Sequence, residues 1–101
     1  MNQIWVGKFE VSGPRDNEIL EGNAGAFLWI AAQAQSSSKF TDRVDYAMRE
    51  FGLSVVGNEQ LQEVIDEDVL SEEVWNLLPE AKRNVESVVC GTWHLFKHHD
   101  A

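Results

Sequence analysis

The residues best suited to chemistry lie near one end of the chain. His94, His98 and His99 are close together, with Asp100 beside them. On a helix, His94 and His98 would share a face at i, i+4 and offer two imidazoles to one metal ion. The segment Val88–Phe96 reads instead as a strand running into a tail, which removes that geometry. No HExxH pattern and no cysteine pair accompany the histidines, so no metal and no other cofactor is expected. Cys90 and His94 suggest a thiol–imidazole pair. Four residues apart on a strand, they would share a face but lie ~13 Å apart along it, too far to hydrogen-bond. Cys90 is therefore expected to be a small buried hydrophobe.

Carboxylates are the other concentration of chemistry. Residues 59–86 hold nine acidic side chains against Lys82 and Arg83, which leaves −7 of the chain's net −9 in this segment. A calcium-binding EF-hand loop needs alternating acidic ligands, a central glycine and a terminal glutamate, and Asp66-Glu67-Asp68-Val69-Leu70 does not supply that spacing. The plain reading of the run is a solvated face. The sharper one is an electronegative surface for a cationic protein. The candidate binding residues are Glu63, Asp66, Glu67, Asp68, Glu72, Glu73 and Trp75. Trp75 lies off the apolar stripe of its segment, and an aromatic residue among carboxylates suits a binding hot spot. Trp5, Trp29 and Trp93 fall on predicted strands, where core packing is the default. No phosphate loop, dinucleotide fingerprint or nucleophile elbow occurs, so no enzymatic activity is expected.

These residues need elements to position them. The clearest unit is Ala26–Val56. AFLWIAAQA is apolar with little interruption, as in a strand covered on both faces. Ser36, Ser37 and Ser38 offer N-caps to a helix whose apolar stripe is Phe40, Val44, Ala47 and Phe51, widened by Met48. Gly52 is placed to end that helix in a left-handed conformation. Leu53–Val56 then restarts extended chain. Gln3–Val11 reads as a further strand, with Gly7 marking a bulge or close approach. Ser12–Gly25 is a long connection, read as a surface loop. Leu53–Val56 forms a hairpin with Gln60–Ile65, or the two are one strand bulged at Gly57. Pro79 divides the second helical region into Ser71–Leu78 and Pro79–Ser87, because proline in a helix interior costs ~3 kcal/mol. Val88–Phe96 is the last strand.

The chain has 101 residues, 44% of them apolar. That is enough for one domain, residues 1–101, burying roughly two-thirds of its unfolded surface. The element order predicts an α+β two-layer sandwich, with helices on one face of the sheet. The pattern is ferredoxin-like, β-α-β-β-α-β, with an added N-terminal edge strand. One cysteine excludes an intramolecular disulfide and fits a cytoplasmic location. MNQIWVGKFE lacks the features of a signal peptide, and no apolar run approaches the ~20 residues that span a bilayer. The acidic balance disfavours nucleic acid and anionic membrane as partners. The first functional reading is a non-enzymatic, acidic protein-binding domain, such as a small bacterial inhibitor or immunity-type protein for a basic partner. The alternative is a ligand-binding regulatory homodimer of ferredoxin-like fold, joined through edge strands.

Overall fold

The computed structural model describes residues 3–65 and 70–97. Asp66, Glu67, Asp68, His98, His99 and Asp100 lie outside the described residues. The fold is α+β, with a five-stranded antiparallel sheet. Strands β1 (Gln3–Ser12) and β2 (Gly25–Ala34) pair along their whole lengths, from Gln3 opposite Ala34 to Ser12 opposite Gly25. β3 (Ser54–Glu63) pairs with the other side of β1. β4 (Val88–Cys90) and β5 (His94–Phe96) both pair with the free side of β2. β2 and β3 are each antiparallel to β1, hence parallel to one another. Helix α1 (Ser37–Glu50) carries the chain between them, past β1.

This order corrects the ferredoxin-like expectation in three ways. β1 is interior rather than an edge addition, because β2 and β3 flank it. Residues 54–63 form one strand, the second of the two readings of this stretch, so the hairpin that the ferredoxin-like pattern needs is absent. Its register slips twice against β1, between Val6 and Lys8 and between Glu10 and Val11. The second slip falls beside Gly57, and the first is accommodated by Gln60 at φ 55°. Such bulges let a long strand keep its partner without turning back. The last strand is also interrupted. Cys90 lies opposite Ile30 and His94 opposite Phe27, so three residues, Gly91–Trp93, face two of β2.

The two-layer expectation is corrected as well. Ala26, Leu28, Ile30, Ala32 and Ala34 of β2 join Phe9 and Val11 of β1 in a buried cluster under Phe40, Val44 and Met48 of α1. Trp29 and Ala31, which alternate with them, join Ile4 and Val6 on the other face. There they meet Val74 of α2 (Glu72–Trp75) and Leu78 and Ala81 of α3 (Leu78–Arg83). The helices therefore cover opposite faces, giving three layers. A strand apolar on both faces demands this, since either face left open would expose its side chains to water.

Local signals set the element boundaries. The Ser36 hydroxyl accepts from the Lys39 N–H and caps α1. At the other end Gly52 has φ +76°, its N–H bonds the Arg49 carbonyl and the Leu53 N–H bonds the Met48 carbonyl. This is a Schellman ending, completed by burial of Met48 and Leu53 in one cluster. Pro79 lies in the first turn of α3, where its missing N–H costs little. The connection between β1 and β2 is held inward: Leu20 is fully buried in the α1-side core. Among the described residues no helix is long and apolar enough to cross a membrane.

Candidate binding surface

Ser71 caps α2 by accepting from the Val74 N–H, and buried Val74 anchors the short helix to the sheet. Glu72 and Glu73 occupy its first turn, where negative charge complements the helix dipole. The sheet beneath them is broken at Gly91–Trp93. The Gly91 N–H still reaches the Trp29 carbonyl at 2.8 Å, but the extra residue turns the chain over before β5 begins. His94 consequently shares a sheet face with Phe27 and meets α2, with Nε2 3.2 Å from Glu73 Oε1. Glu72, Glu73, Leu77, Gly91, Thr92 and His94 are among the residues lining an open recess of about 610 Å³.

On an unbroken strand Cys90 and His94 would share a face. The bulge sets them on opposite faces, and Cys90 packs with the α1-side core. Burial pushes its thiol up to about 11, well above the range in which it would be a nucleophile at neutral pH. The meeting of Glu73 with His94 has no signal in the sequence, because it depends on where a bulge falls in a strand that pairs with β2. Among the described residues no group of three or more His, Cys, Asp and Glu is arranged to hold a metal ion.

The acidic candidates divide. Glu63 ends β3 and is paired with Trp5 of β1, at one edge of the sheet. Glu73 reaches β5, at the opposite edge. Three inter-strand spacings separate these edges, roughly 14 Å. Glu63 therefore does not join Glu72 and Glu73 in one cluster. Trp75 closes α2 and is 52% exposed. It stands three residues from Glu72, on the same side of the turn.

Comparison with protein-family models, with curated proteins and with solved structures finds no match for this chain.

A second surface lies beside α1, where the sequence reading places no candidate site. A groove of about 800 Å³ runs between α1 and the β2–β4 side of the sheet. Tyr46, Ala47, Phe51 and Val88 supply its apolar lining. Phe51 stands edge-on to Trp93, with ring centroids 6.3 Å apart. Arg43 crosses one end and donates to the Gln33 carbonyl.

Proposed function

We propose that this chain is a non-enzymatic binding domain for a cationic protein, with α2 at the centre of the contact. The observation that carries the reading is Trp75, a large aromatic residue half exposed on a turn that also presents Glu72 and Glu73. A ring that its own fold leaves uncovered can be desolvated by a partner, and aromatic residues of this kind supply much of the energy of protein contacts. The surrounding carboxylates select the sign of that partner and speed its approach. The net charge of −9 acts in the same direction. Among the described residues no charged side chain is buried, so the charge is available at the surface. A small inhibitor of the immunity type, which masks a basic active surface, is the concrete form of this reading.

The test is affinity capture with mass spectrometry, using the wild-type chain and two altered baits, Trp75→Ala and Glu72→Lys/Glu73→Lys. Basic proteins retained by the wild type and lost from both altered baits are expected. The same set retained on all three would exclude α2 as the contact.

A further inference from the structure

We propose that the groove between α1 and β4 is the contact surface of a homodimer, occupied by the same groove of a second copy. Several observations converge there. β4 closes its side of the sheet, and among the described residues no strand pairs with its outer edge. Beside that edge Tyr46 is 68% exposed and Phe51 46% exposed. Unpaired ladder groups next to uncovered aromatic rings form a surface that a further strand and helix can complete.

Charge selects the occupant. The charged residues along the groove are Lys39, Asp42, Arg43, Glu50 and Glu86, two positive and three negative. This is nearly neutral on a molecule of net charge −9. A cationic partner is drawn to the acidic α2 side, not to a groove bearing Lys39 and Arg43. A second copy meets less repulsion here than at an acidic face of its own kind.

The charges are also ordered along α1. Lys39 stands near its start and Glu50 at its end. Eleven residues are three helical turns, so both lie on one stripe, ~16 Å apart. A two-fold axis normal to the sheet beside β4 runs β4 antiparallel to the partner's β4. It also lays α1 antiparallel to the partner's α1 on the same face. Lys39 then meets the partner's Glu50, and Glu50 the partner's Lys39, around the Tyr46 rings. Arg43 is held by the Gln33 carbonyl, which leaves Lys39 as the cation of the stripe that pairs across the axis.

Sedimentation equilibrium of the full chain, from micromolar to millimolar concentration, tests this. The wild type is expected to approach twice the 11.4 kDa chain mass. Tyr46→Glu is expected to remain at 11.4 kDa, with an unchanged circular dichroism spectrum. Lys39→Glu or Glu50→Lys alone brings like charges together twice and should weaken the dimer about tenfold or more. The double exchange, Lys39→Glu with Glu50→Lys, should restore it. Both changes suit the helix dipole, an acid near the start and a base at the end, so lost association cannot be ascribed to a weakened helix. Glu72→Lys/Glu73→Lys should leave the dimer intact, which keeps this surface separable from the α2 contact. A wild type that stays monomeric at millimolar concentration overturns the proposal and leaves the groove to a different partner. A double exchange no better than either single one overturns the α1–α1 pairing.

Discussion

Cys90 shows how one position acquires its chemistry from its surroundings. Its side chain packs with the α1-side core, and that burial disfavours the thiolate. Alkylation of the native chain at neutral pH is expected to be slow and to become fast on unfolding in urea. Rapid native labelling would contradict the burial. The same burial gives stability a pH dependence of definite sign. A thiol lifted to about 11 holds its proton in the folded state after the unfolded chain has released it near 9. Its contribution is fully present below pH 9 and is lost as pH rises towards about 11, so denaturant midpoints should fall across that window. Cys90→Ala should flatten that part of the profile. The Glu73–His94 pair is much less consequential for stability, because both side chains are substantially exposed and exposed pairs contribute ~0–1 kcal/mol.

At the scale of elements, the connection between β1 and β2 shows what a loop can do for a fold. Asn17 Oδ1 accepts from the N–H groups of Ile19 and Leu20, at 2.9 and 3.3 Å. Its Nδ2 donates to the Phe51 carbonyl at 2.8 Å. One side chain thus shapes the turn that buries Leu20 and ties it to the C-terminal end of α1. Asn17→Ala removes all three bonds and should cost about 1–3 kcal/mol. The check is a lower urea midpoint with an unchanged slope; an unchanged midpoint would mean that Leu20 burial alone holds the loop. This tie was not legible in the sequence, because Asn17 and Phe51 are 34 residues apart. The ends of α1 were legible, since Ser36 and Gly52 act through neighbours within a turn or two. That Pro79 opens a separate second helix was legible for the same reason, although α2 ends at Trp75 and α3 spans only Leu78–Arg83, both shorter than expected; so was the exposure of Trp75, from its place off the Leu78 face. The pairing partner of each strand and the face chosen by each helix are long-range matters. Both-face burial of β2 was nevertheless readable in AFLWIAA, and it conflicts with the two-layer arrangement inferred beside it.

At the scale of the whole molecule, charge is the property read most directly from sequence, and its effect on stability can be argued from shape. The molecule measures 44 × 24 × 20 Å and carries net charge −9. At 0.01 M salt the screening length is ~30 Å, so carboxylates on opposite sides repel one another through and around the fold. At physiological salt it is ~8 Å, and only neighbours interact. Unfolding lets these charges move apart, so self-repulsion destabilises the compact state most at low salt. Attractive pairs oppose the trend. Lys8–Glu59 at 3.7 Å and Arg49–Asp45 at 2.7 Å are weakened by the same screening. Each joins exposed or half-exposed groups and contributes little, so repulsion should dominate. Tm is therefore expected to rise between 0.01 and 0.15 M sodium chloride and to level off beyond. Glu72→Lys/Glu73→Lys adds two charges at each position and brings −9 to −5, which should flatten the rise. A Tm that falls with salt would instead make the ion pairs, not the net charge, the governing electrostatic contribution in this fold.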